Sequence, residues 1–481
     1  MIHFLIDGWS KHICQDLIWS CYEIGLRLGT PFLIDSVGAE IAADQVVVGY
    51  RGPAAVGGVE SNRYLSLPVA LSDPVEEMPC GHREVSGRSL WIPRETSEPD
   101  VISGVLHLLR FFHESQIGDH ERDDLSRIPP TRHPLAQAGF FIEPLLDNNV
   151  EYLRARLSQW GMDIPPPCPW GKRGEYAVCL THDVDGPRLH TLFALARSAI
   201  YALRGDRFER ESAELGLLSW LMRRPDPYWN FAHWQSLEHG LGIASTYFFH
   251  PGRVPGIRRH PRDPRYETGS PPFTRVLLEL RGSGCEIGLH NPINGHSLAA
   301  YQSAKEKLEK CSAGEVSGCR GHYWAINWKD PLASWRGMQQ AGFSYDASMS
   351  PMALGLRQGT LFPTTPSGHW QALDNGDRFT VFPTAVMDSY TVPRAAGTDH
   401  HFIDQAMDRL LKSVIQRRGI LVLDWHVRAL SNVGAWQGYL VPLLKMLKTL
   451  MEDSQCRFLT LEQARTHWSR YAKDLCVGIM A

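Results

Sequence analysis

No Cys-x-x-Cys pair occurs in this chain of 481 residues, although it holds ten cysteines. That spacing would mark a structural zinc or a dithiol redox centre, so neither organises the fold. Cys179, Cys285 and Cys319 sit inside apolar runs and read as buried, reduced thiols, which implies a reducing compartment. The first ten residues lack a basic start and are interrupted by Asp7, unlike a signal peptide, and no apolar run is long enough to cross a bilayer. The expectation is a cytoplasmic protein without a transmembrane segment. A net charge of −3 leaves no nucleic-acid footprint. Internal repeats and low-complexity tracts are lacking, and no Gly-x-Ser-x-Gly elbow suggests a serine hydrolase.

What the chain does have is a series of apolar runs that end in polar residues. Ala177 to Leu180 leads into Thr181-His182-Asp183-Val184-Asp185, and Cys285 to Leu289 leads into His290. Each run reads as a strand buried in a parallel sheet, so the polar cluster emerges at the carboxyl edge, where α/β folds build active sites. Asp-x-Asp with a later His suits a divalent ion, with one carboxylate left over as a base. On spacing alone, an aspartate after a strand is at least as well explained as a helix cap or an Asx turn. Three further runs weigh against that reading: Val316 to Tyr323 around Arg320, Phe343 to Ser348 around Asp346, and Ile420 to His426.

Together the five runs resemble the polysaccharide deacetylase superfamily, of the chitooligosaccharide deacetylase or carbohydrate esterase family 4 type, in a branch with His-Asp-Val-Asp. The resemblance covers about residues 175–465. It implies a distorted (β/α) barrel that uses a divalent metal, commonly zinc, to remove acetyl from an N-acetylated sugar. Asp183 matches the catalytic base and Arg320 the arginine that pairs with it. Asp346 matches the residue that orients the catalytic histidine, and His426 matches the general acid, with Asp346 or Asp424 as its carboxylate partner. Asp185 and His290 match metal ligands. The family's Asp pair is adjacent, whereas Val184 intervenes here; on a strand Asp183 and Asp185 would still point to the same side. The family's second histidine position holds Asn294, so His296 is the expected third ligand, with Asn294, His250 or His322 as alternatives.

Aromatic residues crowd the same motifs, and Tyr323, Trp324 and Trp425 are the expected sugar-stacking faces. Trp328, Trp335, Trp370, Tyr228 and Trp229 stay unassigned. The Pro-rich segment 251–272 carries Arg253, Arg258, Arg259, Arg262 and Arg265, as a lid over an anionic glycan or sugar nucleotide would. Residues 1–165 form a mixed α/β accessory domain before the Pro165-Pro166-Pro167 linker, and 175–475 form the barrel. The stretch Leu189 to Trp220 reads as added helix whose apolar face packs on the barrel, with a membrane surface as the weaker alternative. The leading expectation is a metal-dependent N-deacetylase of polysaccharide or glycoconjugate assembly. Hydrolysis of a non-sugar amide or imide, or glycan binding without catalysis, are the alternatives.

Overall fold

Runs that are apolar at every position bury both faces, and here they do so in parallel sheets. The structure, a computed structural model, describes residues 1–36, 46–52, 55, 64–69, 78–94, 96–172, 174–366, 378–392 and 400–480. Trp370 lies outside the described residues.

The N-terminal part contains β1 (Ile2–Leu5), β2 (Phe32–Asp35), β3 (Val46–Gly49), β4 (Tyr64–Ser66) and the hairpin β5 (Cys80–Val85) and β6 (Arg88–Pro93). The next seven strands are β7 (Tyr176–Val184), β8 (Thr246–Phe249), β9 (Glu286–Asn291), β10 (Gly318–Gly321), β11 (Tyr345–Met349), β12 (Thr380–Met387) and β13 (Ile420–Asp424). They pair in sequence order, all parallel, and β13 returns to β7, closing a seven-stranded (β/α) barrel. Two strands follow, β14 (Cys456–Phe458) beside β7, and β15 (Cys476–Met480). The last of these pairs with β2, so the carboxyl end of the chain completes the N-terminal sheet in the order β15-β2-β1-β3-β4.

Alternation along the strands sorts the barrel residues into two apolar cores. Tyr176, Val178, Leu180, Leu421, Leu423 and Trp425 belong to the core beneath the outer helices. Ala177, Cys179, Phe248, Tyr345, Phe382 and Val422 fall with Phe4, Trp19 and Leu106 of the N-terminal part in the other. The inward positions alternate large and small: a Cβ on Gly288 would come within 2.5 Å of the Phe248 ring, and one on Gly318 within 1.9 Å of Tyr345. Two residues beyond these glycines, on the same strand face, stand His290 and Arg320. Buried ion pairs also join the two parts, with Arg357 gripping Glu114 at 2.8 and 2.7 Å.

Candidate active site

The carboxyl ends of β7, β9, β10 and β13 place their polar residues together, as strand polarity requires in a parallel barrel. Asp185 Oδ1 lies 3.0 Å from His290 Nε2 and 3.5 Å from His322 Nε2. All three ligand atoms fall within 4.8 Å of one another. His290 Nδ1 donates to the Arg320 carbonyl at 3.2 Å, which leaves Nε2 as its acceptor face toward the cluster. Nδ1 of His322 donates to Asp263 Oδ1 at 3.0 Å, the outer carboxylate that commonly orients a ligating imidazole. Asp185 Oδ1 and His290 Nε2 are buried without a hydrogen-bond partner among the described residues. Orphaned acceptors that converge in this way fit a divalent cation, since one O and two N donors suit zinc with an open position.

His296, the expected third ligand, is absent from this cluster; its Nδ1 is 3.4 Å from the Tyr301 hydroxyl, and burial lowers its basicity. The loop after β9 turns it under the helix Leu298–Ser312, and His322, one of the alternatives, takes the position. The short 3-10 turn His322–Trp324 does this with left-handed backbone at Tyr323 (φ 58°) and Trp324 (φ 58°), strain of the kind that accumulates at functional sites.

Asp183 stands beside the cluster, with Oδ2 3.5 Å from His290 Nε2 and Oδ1 accepting from Arg320 Nη1 at 2.8 Å. Burial raises its carboxyl, but His290 and Arg320 outweigh burial and hold it below the ordinary value, ionised and able to accept a proton. Arg320 is itself fully buried and also lies 3.2 Å from Asp424 Oδ1. One guanidinium thus serves two carboxylates. Burial, with Asp183 next to it, pushes Asp424 well above the usual carboxylate range, whereas Asp183 is held below it.

His426 Nε2 is 3.0 Å from Asp185 Oδ2, and its Nδ1 is 3.0 Å from Asp388 Oδ2. Burial disfavours its cation, yet Asp388 and then Asp185 raise its pKa well above that of free imidazole. Asp388 was not among the expected site residues. It follows β12, an apolar run Thr380–Met387 that ends in a carboxylate like the others, and that pattern was the available signal.

Asp346 does not touch His426. Next to the inward Tyr345, it faces outward, where it accepts from Trp335 Nε1 at 2.9 Å and from the Ser348 hydroxyl at 2.6 Å. Ser348 in turn accepts the Gly321 N–H at 2.8 Å, so Asp346 braces the end of β10 rather than the histidine. Trp425 faces outward too, is fully buried, and donates to the Tyr439 carbonyl at 2.9 Å; it offers no face to a sugar. Trp324 is buried against Arg320, 5.2 Å from its guanidinium carbon. Tyr323 alone of the three is exposed and lines a cavity.

That cavity, about 290 Å³, opens over Asp185 and His322. Segment 251–272 contributes Arg262, Asp263, Arg265 and Tyr266 to it, and Arg188, Arg197 and Arg428 line the rest. Arg188 stacks on Trp229 at 4.5 Å and Arg265 on Phe193 at 4.0 Å, cation–π contacts that leave the guanidinium edges available to an anion. A second trio, His113, Glu114 and His133, has similar spacing, but Arg357 already holds both Glu114 oxygens, so it is an ion-pair network rather than a metal site.

No family model matches the sequence, and no curated protein matches it. The chain is similar to a solved structure from Mycobacterium smegmatis named as a candidate polysaccharide deacetylase, with 15% identity and a TM-score of 0.40 over 65% of this chain and 96% of that one. It is similar also to Puue allantoinase, with 12% identity and a TM-score of 0.40 over 64% of this chain and 95% of that one. Peptidoglycan deacetylase PdaC from Bacillus subtilis is another, with 13% identity and a TM-score of 0.28 over 63% of this chain and 98% of that one.

Proposed function

We propose that this chain is a metal-dependent hydrolase of the polysaccharide deacetylase superfamily that removes acetyl from an N-acetylated carbohydrate. The observation that carries the reading is a shared pair of ligands: Asp183 reaches His290, and His426 reaches Asp185, so a base and an acid adjoin one metal-binding cluster. Asp185, His290 and His322 would hold the ion, taken to be zinc. When bound, such an ion supplies positive charge that favours deprotonation of water and polarises a carbonyl.

The protein's own groups divide the proton work. Asp183, kept ionised beside the Arg320 guanidinium, takes the proton from the attacking water. His426, protonated and held by Asp388, gives a proton to the nitrogen that leaves. The arginines of the cavity favour a substrate with an anionic group, such as an acidic glycan or a sugar nucleotide. Polysaccharide or glycoconjugate assembly is the setting in which such a substrate is deacetylated.

The test is metal content of protein purified without chelator, together with acetate release from N-acetylated sugars and sugar nucleotides by wild type and Asp183→Asn. Near-stoichiometric metal with release that vanishes in the variant supports the proposal. Turnover of an amide or imide without acetate overturns the substrate, and neither metal nor turnover leaves a glycan-binding protein.

A further inference from the structure

The helices Leu192–Leu203 and Arg207–Leu221 form a hairpin between β7 and β8 whose burial is the reverse of an ordinary amphipathic pair. The side chains it buries are small: Ser198 in the first helix, and Ser212, Gly216 and Ser219 in the second. A Cβ on Gly216 would meet Leu195 of the first helix and Leu189, and the Ser212 hydroxyl meets Tyr228 and the N–H of Ala435, so the small residues are taken up by the helix–helix contact and by the turn Gly434–Trp436 after β13. The large apolar side chains are outside. Leu192 is 80% exposed, Leu203 90%, Leu221 66%, and Ile200, Leu218, Trp220 and Met222 are each at least half exposed.

On the first helix Leu192, Ala196, Ala199, Ile200 and Leu203 repeat at helical spacing and form one stripe. This stripe borders the positions of Phe193 and Arg197, which line the cavity. Arg204 and Arg207 lie at the hairpin tip and Arg223 and Arg224 after its second helix. Among the hairpin's carboxylates, Asp206 caps the second helix, Glu209 accepts from Ser198 at 2.6 Å, and Glu211 and Glu214 are exposed on the second helix beside Arg207 and Arg210, so the hairpin from Arg197 to Arg224 carries six arginines against four acids. A large apolar face that includes Tyr201 and Trp220, with arginines in excess over carboxylates around it, has the make-up of an interfacial helix.

We infer that this hairpin docks the barrel onto an anionic lipid bilayer, its apolar face in the interface and its arginines on the headgroups, with the cavity mouth beside the membrane. No helix among the described residues is long and apolar enough to span a bilayer, so the contact is one of lying on the surface. The inference stands on burial and charge and does not depend on the catalytic reading.

The test is flotation of the full chain with vesicles of phosphatidylcholine containing about 30% phosphatidylglycerol, against phosphatidylcholine alone. Wild type should float with the anionic vesicles, less so in high salt, and the triple variant Leu192→Ser, Leu203→Ser, Leu221→Ser should lose at least about tenfold in partitioning. Leu278→Ser, an exposed leucine on another helix, controls for general stickiness and should float as wild type does. Circular dichroism and thermal unfolding check that the variants are folded. Failure of wild type to float, or equal flotation of the triple variant, overturns the inference. So does self-association of wild type that the triple variant abolishes in the absence of vesicle binding, which would make the face an interface between two copies.

Discussion

Asp388 holds His426 at two points, accepting its backbone N–H at 2.8 Å and its Nδ1 at 3.0 Å on the same oxygen, Oδ2. A ring fixed in this way keeps Nε2 on Asp185, and the carboxylate behind it favours the protonated imidazole.

Asp388→Asn should therefore reduce kcat by about 10²–10⁴, the usual worth of a positioned acid, with metal content retained. The sign of the pH effect follows from the pair. Asp388 raises the pKa of His426, so its neutralisation lowers that pKa and moves the alkaline limb of the kcat profile to lower pH. An unshifted limb would remove Asp388 from this role.

His322→Ala should lose the metal, and His296→Ala should keep it. Asp263→Asn should weaken metal affinity by about 10–100-fold, because the carboxylate fixes the His322 tautomer. Metal titration of chelator-treated protein measures all three, and equal affinity in wild type and His322→Ala would return the third contact to another residue.

Asp183→Asn should bind metal and substrate and lose about 10²–10⁴ in turnover. Arg320→Lys should lower turnover too, because Nη1 meets both Asp183 and Asp424 while Nε donates to the Ala347 carbonyl, and a lysine ammonium cannot reproduce that planar arrangement. A pH profile whose acidic limb moves upward in Arg320→Lys would reflect an Asp183 carboxyl less strongly held as the anion. An unmoved limb would separate the arginine from the base.

Asp346 gives a stability signature. Burial raises its pKa from 3.8 to about 6, so the folded protein binds its proton more tightly than the unfolded chain. Its contribution is fully present below the unfolded value and is lost as pH rises through about 6. The difference in unfolding free energy between wild type and Asp346→Asn should thus vary between roughly pH 4 and 6 and be flat above, by denaturant titration at several pH values. No variation in that window would count against a raised Asp346.

Strand-end chemistry was legible in the sequence because it is local. An apolar run buried on both faces must expose its polar end at the edge of a parallel sheet, so the clusters holding Asp183, Asp185, His290, Arg320 and His426 could be picked out before any contact was known, while the barrel and the residues' roles followed from the family resemblance. The rest depended on which side of the strand or loop a residue occupies. Asp346 and Trp425 sit one position out of phase with the inward residues, and a period of two sends their side chains to the outer helices. Asp263, His322 and Asp388 come from a long loop, a strained turn and the end of a further strand, and reach the site only through tertiary contacts, Asp263 with His322 and Asp388 with His426. The exposed hairpin face likewise emerged from packing: an apolar helical pattern predicts burial, and only the burial of the small residues Ser212, Gly216 and Ser219 in the hairpin's contacts decided that its leucines face outward.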